Sequence, residues 1–471
     1  MESEADLDAA INALLPLAAS PEFYGIMVDV DAVGPLLTLL THENTDIVTD
    51  TIQLLQELTD EDVVPEDGEE ASAGMQRFLQ SLIDNGLLDL LAQNVDRLKQ
   101  ETSTEDARGI FGVLSILENV LSFNPLVAEQ IVSNTTLLHW MLQKLGQKAF
   151  DANKQYVSEL VAILMKSGSM EAVTKVHTAF LSADGMEVLL KCLAAFKRKD
   201  PKDVDEQEMM ENAFDALCSL LSNSPDAKEA FVQAEGVELM ILMLKEKQLS
   251  RILALKTLAF AMSGLSKVGN MSVADRFIEG MGLKHVFASF MKKYSKKLKK
   301  EYPKSFKDAQ EDEHCLTILS SLFRHVSESG PEFRLQRLLQ RFNDEELHQL
   351  VHMHSEYYDR LKRAEKQMAG DEEDEDERYM NRLDQGLFTL QMVDLVLGDV
   401  LVGCGAELVP ETAKKALAVM TEKERSLDEV AAILREYVDN VGDVEEDRGL
   451  SDRERLRVVQ MVDGLEAMSM Q

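Results

Sequence analysis

A short apolar phrase recurs along the chain, and each copy opens a stretch in which apolar residues fall at helical spacing. Four of the six copies carry a glycine in the same place. Anchored at residues 32, 86, 134, 185, 236 and 282, the copies lie 54, 48, 51, 51 and 46 residues apart. They are Ala32–Leu40, Asp84–Leu91, Asn134–Leu142, Ala183–Leu190, Ala234–Ile241 and Gly282–Phe287.

After each copy come a polar loop and a second apolar-periodic stretch, which predicts a second helix. A unit of about 40–47 residues built from two or three helices is typical of armadillo and HEAT repeats. The glycine is expected to let the chain turn sharply into the first helix. The second helices are predicted at Ile47–Thr59, Ala107–Ser122, Asn153–Met165, Gln207–Ser222, Ile252–Met262 and Cys315–His325.

The pattern therefore predicts an all-α, armadillo/HEAT-like right-handed superhelical solenoid with a C-terminal helical cap. Strand-type alternation is hard to find, and residues 379–471 read as helices without the glycine phrase. The predicted segments are N-terminal capping helices at 1–30, the repeat array at 31–330, a helical extension at 331–368, an acidic linker at 369–378 and a C-terminal helical domain at 379–471.

Charge narrows the range of partners. The formal net charge is −35 and the isoelectric point about 4.6, which argues against nucleic acid and favours basic partners. The alternative is that acidity only keeps a long solenoid soluble. Met1–Ala9 lacks the apolar block of a signal peptide, and no membrane span is expected. The four cysteines form no CxxC pair, and Cys192, Cys218 and Cys404, which lie in apolar helical stretches, are expected to be reduced core thiols.

In an armadillo unit the second of the two helices lines the concave groove. An acidic segment begins at the C-terminal end of the first such groove helix, Ile47–Thr59, and holds eight acids without a base. Acids at a helix C-terminus oppose the helix dipole, so helix stability does not explain them. The segment is either a solvated loop or a site for a Lys/Arg-rich peptide. Its acids are Glu57, Asp60, Glu61, Asp62, Glu66, Asp67, Glu69 and Glu70.

Further peptide-binding candidates lie on the next two groove helices. Asn119, beside Glu118, stands where an asparagine of an armadillo repeat can hydrogen-bond the backbone of an extended peptide. No ladder of such asparagines follows, so at most one rung is expected. Tyr156 and Glu159 are the candidates on the helix after that.

Other chemistry is sparse. His348, His352 and His354 could offer a metal pair, but no third ligand is placed, and structural histidines are the simpler interpretation. The basic island Lys292–Lys300 is a nuclear localisation signal, a phosphate-binding patch, a solvated loop or a segment docked on the molecule's own acids. No catalytic motif is found, so no enzyme activity, cofactor or metal is expected.

Five strings, in order along most of the chain, resemble the catenin-beta-like 1 family of nuclear armadillo proteins. They are Leu54–Asp60, Phe150–Tyr156, Gln207–Asp215, Arg382–Phe388 and Glu436–Asp443.

This resemblance implies a non-enzymatic scaffold of the NineTeen complex in pre-mRNA splicing, located in the nucleus. It implies binding to basic, nuclear-localisation-type segments of splicing partners such as the cell-division-cycle-5-like protein. The rival function is an import adaptor similar to importin-alpha, which would need a basic arm and repeated Trp/Asn rungs that the sequence does not show. A homodimer is left open.

Overall fold

The computed structural model describes residues 2–64, 68–98, 103–264, 267–329, 332–368, 375–403, 408–440 and 448–470. Within these ranges every regular element is a helix, which confirms the all-α prediction. The predicted acidic linker lies mostly outside the described residues, as do Glu66 and Asp67 of the acidic segment. The described chain contains no single helix long and apolar enough to cross a membrane, although the bent pair Ser3–Ala19 and Pro21–Asp29 meets that test by length and composition.

The chain forms two compact units, and the boundary falls inside the segment predicted as one repeat array. The first unit comprises Met1–Ala195 and Pro201–Leu220. Its 3₁₀ turns are Leu15–Ala19, Pro21–Phe23 and Glu61–Val63. Its helices are α1 (Glu2–Leu14), α2 (Tyr24–Asp29), α3 (Val33–Leu39), α4 (Thr45–Thr59), α5 (Glu69–Asp84), α6 (Leu87–Arg97), α7 (Thr104–Phe123), α8 (Val127–Asn134), α9 (Leu137–Gly146), α10 (Ala152–Leu164), α11 (Met170–Ser182), α12 (Gly185–Ala194) and most of α13 (Val204–Asn223).

The second unit comprises Phe196–Asp200 and Leu221–Gln471. Its helices are α14 (Pro225–Gln233), α15 (Gly236–Lys245), α16 (Leu249–Met262), α17 (Lys267–Glu279), α18 (Leu283–Phe290), α19 (Ser295–Glu301), α20 (Asp308–Ser329), α21 (Glu332–Leu339), α22 (Asp344–Met368), α23 (Glu375–Asp384), α24 (Leu387–Leu401), α25 (Pro410–Glu422), α26 (Leu427–Asn440) and α27 (Arg448–Ser469).

Each repeat has three helices, and equivalent helices of neighbouring repeats pack on one another. In the first unit the second helices α6, α9 and α12 pack in succession, and so do the third helices α4, α7 and α10. In the second unit α14 packs on α17, and α16 packs on α20. The two helices that the sequence pattern predicted in each repeat are the second and third helices of the structure. The first helix of each repeat, which precedes the glycine phrase, was not predicted.

The glycines of the phrase serve two different purposes. Gly86 has φ +87° and open space around the place of a Cβ atom, so it meets the need for a left-handed residue. In the next copies Asp184 and Glu235 take the left-handed conformation, with φ 59° and 58°. Gly236 is then needed for space, because a Cβ there would lie less than 3.0 Å from the buried ring of Phe231.

The same contact recurs with a fixed spacing of five residues. A Cβ on Gly185 would strike Phe180, and one on Gly282 would strike Phe277. The sharp-turn prediction is therefore correct for the first glycine. For the later three it is wrong, because the residue before the glycine makes the turn and the glycine admits the ring.

The C-terminal part of the second unit is built around α24, which is buried along nearly its whole length and packs on α20, α22, α25 and α26. Its two acids are paired inside the core. Asp394 contacts His354 at 2.6 Å, and Asp399 contacts the Arg457 guanidinium at 2.8 Å. Pairing is what allows these carboxyl groups to be buried in an otherwise apolar helix.

We expect Gly236→Ala to lower the free energy of unfolding by about 1–3 kcal/mol, because the added methyl overpacks the Phe231 ring. Gly86→Ala should cost about 1–2 kcal/mol through left-handed strain alone. Denaturant unfolding followed by circular dichroism measures both. In a Phe231→Leu background the cost of Gly236→Ala should shrink while that of Gly86→Ala stays the same. Equal costs of Gly236→Ala in the two backgrounds would contradict the steric explanation.

Candidate peptide-binding site

The side chains available for binding on α7 form one narrow stripe, because most of the helix is buried between its neighbours. Apart from Phe111, its apolar residues from Ile110 to Leu121 are almost wholly buried against surrounding helices. The exposed and half-buried side chains recur at helical spacing on one face. They are Phe111, Ser115, Glu118, Asn119 and Ser122. With the matching faces of α4, α10 and α13 they make up what we call the third-helix surface of the first unit.

Hydrogen bonds and ion pairs tie the four helices of this surface together. Asn119 Nδ2 on α7 donates to Thr59 Oγ1 on α4 at 3.0 Å. Asn212 Nδ2 on α13 donates to Ser158 Oγ on α10 at 3.4 Å, and Lys166 beside α10 pairs with Asp215. The polar groups along the surface are therefore held in fixed relative positions within the unit.

A cavity of about 470 Å³ opens between α4 and α7. Two glycines of α7 let the helices approach closely at its wall. A Cβ on Gly109 would lie 2.7 Å from Thr49 Cγ2, and one on Gly112 would lie 2.6 Å from Ile52 Cγ2. The missing side chains thus bring the two backbones together and leave room above them.

Acids dominate the charge of this cavity. Its lining includes Asp46, Asp50, Glu57 and Glu105, against the single base Arg108. Burial raises the pKa of Asp50 to about 6, reinforced by a hydrogen bond to Asp8 of α1 and by the negative charges of Asp8 and Asp46, while Arg108 opposes the shift. A cation placed here would relieve repulsion among carboxylates that already lie close together.

The predicted acidic segment continues from the cavity, and its members differ in their freedom. Glu57 is exposed on α4. Asp60 caps the following 3₁₀ turn by accepting from the Asp62 backbone amide at 3.0 Å. Glu61 is exposed and accepts from Ser122 Oγ of α7 at 2.6 Å. Glu57 and Glu61 therefore remain available to an incoming base, whereas Asp60 has a structural task.

The Asn119 carboxamide is already engaged within the protein. Besides its bond to Thr59, its Nδ2 lies 3.5 Å from the Gln56 carbonyl oxygen. Its amino group therefore joins α7 to α4, and only the carboxamide oxygen remains to meet a peptide N–H group. Peptide binding by Asn119 stays a prediction. In this geometry its carboxamide oxygen would accept a hydrogen bond from a peptide N–H group.

Tyr156 was predicted to face a bound peptide, and this prediction is wrong because its ring is buried. It is only 8% exposed, its hydroxyl donates to the Glu118 carboxylate, and its ring packs 4.8 Å from that of Phe111. The aromatic side chain at the surface is Phe111, which is 41% exposed and lines the cavity. Sequence reasoning missed Phe111, although it lies on the same helical face as Glu118 and Asn119.

The carboxylates form a row across successive third helices. Burial raises the pKa of Glu159 on α10, and the negative charges of Glu118 on α7 and Glu208 on α13 add to the effect. Glu118 is held in place by Tyr156, and Glu208 is exposed. The sequence pattern predicted Glu118 and Glu159 as site residues, whereas Glu208 emerges only from the structure.

The histidines of α22 do not converge on a metal. His354 is buried, with Nδ1 2.6 Å from Asp394 Oδ1, whereas His348 is half-buried and His352 is exposed. The Asp394 and Glu429 carboxylates outweigh the effect of burial and raise the pKa of His354 to about 9. Among the residues with described positions, no group of three or more His, Cys, Asp or Glu side chains could hold a metal ion.

Three-helix repeats whose third helices stack into one surface of side chains define an armadillo-repeat protein. A sequence model of the catenin-beta-like family, described as Arm-motif containing and nuclear, matches residues 1–435. The chain therefore belongs to this family. Together with the fold, the family makes the chain a nuclear armadillo scaffold.

Named relatives agree. Human beta-catenin-like protein 1 is 36% identical over 459 residues, which is 94% of this chain and 77% of that protein. The homologue from Schizosaccharomyces pombe is 34% identical over 452 residues, which is 94% of this chain and 73% of that protein.

Solved structures add little. An engineered protein aligns with 97% of this chain and 95% of its own at 16% identity and a TM-score of 0.48. A designed armadillo repeat protein, solved with a (KR)4 peptide, aligns with 62% of this chain and 99% of its own at 14% identity and a TM-score of 0.43. Likenesses of this strength support no conclusion about function.

The hydrogen-bonded carboxyl groups of Asp8 and Asp50 predict that the stability of the protein depends on pH. The folded pKa of Asp50 is about 6 against 3.8 for the free side chain, so the folded state binds more protons between these values and stability falls as pH rises through that window. We expect Asp50→Asn to raise the thermal midpoint at pH 7.5 and to leave it unchanged at pH 4. Because the carboxyl group is only partly buried, the gain should stay below about 1 kcal/mol.

Differential scanning fluorimetry at the two pH values measures the effect. The exposed Asp96 on α6 supplies the control, because Asp96→Asn removes the same charge away from Asp8. An equal gain from both variants would show that lower overall charge, and not the carboxyl pair, is responsible.

Proposed function

We propose that this protein is a splicing scaffold of the NineTeen complex and that its third-helix surface binds Lys/Arg-rich segments of splicing partners, such as the cell-division-cycle-5-like protein. The observation that carries the proposal is the run of carboxylates on the third helices of four successive repeats. It extends from Glu57 on α4 through Glu118 and Glu159 to Glu208 on α13. The splicing context comes from the family resemblance.

Electrostatics supports a basic ligand for this surface. The raised pKa values of Asp50 and Glu159 both reflect neighbouring negative charges as well as burial. A bound Lys or Arg side chain would remove that repulsion, which no neutral ligand does. The cavity between α4 and α7, at about 470 Å³, has room for a long basic side chain.

Phe111 adds a second element of recognition. Its ring is 41% exposed and lines the same cavity as Glu57 and Glu105. A cation over an exposed aromatic face contributes about 0.5–1 kcal/mol. Arg and Lys are therefore favoured over a merely polar side chain at this position.

No single contact supplies the affinity. An exposed ion pair contributes roughly 0.2–1 kcal/mol. Binding at this surface requires several pairs along an extended basic segment, with backbone contacts such as Asn119 Oδ1 accepting a peptide N–H. Such binding weakens with salt, because the screening length is about 8 Å at physiological ionic strength.

We expect the triple variant Glu57→Gln, Glu61→Gln and Glu159→Gln to bind a fluorescein-labelled Lys/Arg-rich peptide at least about tenfold more weakly, since roughly 0.5 kcal/mol per pair sums to 1.5 kcal/mol. Fluorescence anisotropy at 50 and 300 mM salt is the measurement. The loss should be larger at the lower salt concentration.

The control is Glu345→Gln, Glu411→Gln and Glu424→Gln, which removes three exposed acids outside the first unit. It should bind almost as well as the parent protein. If the two triples lose affinity equally, overall charge attracts the peptide and the third-helix surface is not its site.

The cellular part of the proposal needs a separate experiment. We expect the parent protein, used as bait in nuclear extract, to recover splicing factors identified by mass spectrometry. The Glu57/Glu61/Glu159 variant should recover fewer of them. Recovery of import carriers in place of splicing factors would favour an importin-alpha-like adaptor and overturn the splicing assignment.

A further inference from the structure

Three basic segments, far apart in sequence, meet in the second unit. They are residues 196–200, residues 245–249 and the loop with α19 at 291–307, and each lies at or just after the C-terminal end of the second helix of its repeat. Asp200 links all three, because its carboxylate accepts from the Leu249 amide at 2.9 Å and from the Tyr302 hydroxyl at 2.7 Å. The Nζ atom of Lys247 also lies 5.1 Å from the centre of the Tyr294 ring.

Part of the basic island is neutralised within the fold. Lys292 pairs with Asp312 at 2.6 Å, Lys299 with Asp308 at 2.7 Å and Lys297 with Glu301 at 3.3 Å. The interpretation of the island as a segment docked on the molecule's own acids is therefore partly correct.

Ten other bases in these segments are exposed, and none of them forms an ion pair with a carboxylate in the part of the chain that the structure describes. We call this group the basic patch. It consists of Lys197, Arg198, Lys199, Lys245, Lys247, Lys293, Lys296, Lys300, Lys304 and Lys307.

The island is folded and is not an extended strand of chain. Leu298 is 1% exposed and Ser295 is 6% exposed, so α19 is anchored in the core of the unit. Lys296 and Lys300, four residues apart on α19, share one helical face directed to solvent, and Lys293 is exposed in the turn just before the helix. If the island were bound by a receptor as an extended localisation signal, α19 would have to unfold. A ligand that needs only surface cations can bind while α19 stays folded.

We propose that the basic patch binds the phosphodiester backbone of an RNA strand. Phosphate recognition requires cations spread along a surface and no pocket for side chains. A cavity in this region, between Arg251, Phe306 and Lys307, measures about 10 Å³. That is roughly the room of one water molecule, so this cavity cannot hold a side chain of an acidic peptide.

The overall acidity of the protein does not forbid this contact. The net charge of −35 is spread over the whole molecule, and charges beyond about 8 Å are largely screened at physiological ionic strength. The expectation of no nucleic-acid binding was based on net charge alone, whereas the fold concentrates ten bases locally. The surrounding acids should keep the binding modest and steeply dependent on salt. This inference is independent of the peptide site on the first unit.

The test uses the full chain and a fluorescein-labelled 20-nucleotide oligo(U) in an anisotropy titration from 50 to 200 mM salt. One variant carries Lys293→Gln, Lys296→Gln and Lys300→Gln, and another carries Lys197→Gln, Arg198→Gln and Lys199→Gln. The matched control is Lys148→Gln, Lys191→Gln and Lys366→Gln, three exposed bases outside the patch.

Both patch variants should bind oligo(U) at least about fivefold more weakly at 50 mM salt. The slope of log affinity against log salt should fall by about 2, as expected for the loss of three phosphate contacts to a single strand. The control should change less than about twofold, and all variants should keep the parent thermal midpoint within a few degrees. Loss in only one patch variant would show that the segments do not act as one surface.

Competition separates the ligand classes. Unlabelled oligo(U) should displace the probe far better than polyglutamate of equal charge, and a duplex RNA arm distinguishes single strands from helices. If polyglutamate competes equally well, the patch takes acidic peptides and the RNA assignment is wrong. Absence of oligo(U) binding at 50 mM salt, or an equal loss in the control, also overturns it.

Discussion

The stacking of like helices from neighbouring repeats is the constraint on which the rest of this structure depends. A three-helix repeat is too small to enclose a core, so its apolar faces are buried only against the next repeat. In α7 this burial takes nearly the whole circumference and leaves one narrow stripe. A ligand of the third-helix surface can therefore contact only these exposed stripes.

The stacking also explains why glycine recurs at particular places. Gly109 and Gly112 bring α7 against α4, and Gly236 admits the Phe231 ring at the turn between two helices. A side chain at any of these positions would push apart elements that the neighbouring repeat needs in contact. Gly109 and Gly112 thus connect local geometry to the alignment of the carboxylate row, because that row exists only if successive third helices stay in register.

Charge is sorted onto the parts of a repeat that packing leaves free. In the first unit, acids occupy the outward stripes of third helices, where Glu118 and Glu159 sense each other's charge. In the second unit, bases occupy the loops that follow second helices, where Lys247 and Tyr294 meet. Side chains on these stripes and loops contribute little to core packing. Their charge can therefore suit a ligand with little cost to the free energy of unfolding.

The composition and periodicity of this chain were enough to predict an all-α repeat protein, the second and third helices and the exposed acids Glu57 and Glu61. These features depend on spacing within one helix, which sequence displays directly. Tyr156 was assigned to the surface wrongly and Phe111 was overlooked, because which of two neighbouring aromatics is covered depends on how α7 and α10 pack.

Three features of the structure join residues from different helices or repeats. They are the hydrogen bond of Asn119 from α7 to α4, the carboxyl pair of Asp8 and Asp50, and the meeting of three basic segments around Asp200. Only the tertiary structure decided them, because contacts between repeats depend on the distance and register of packed helices, which no single stretch of sequence encodes.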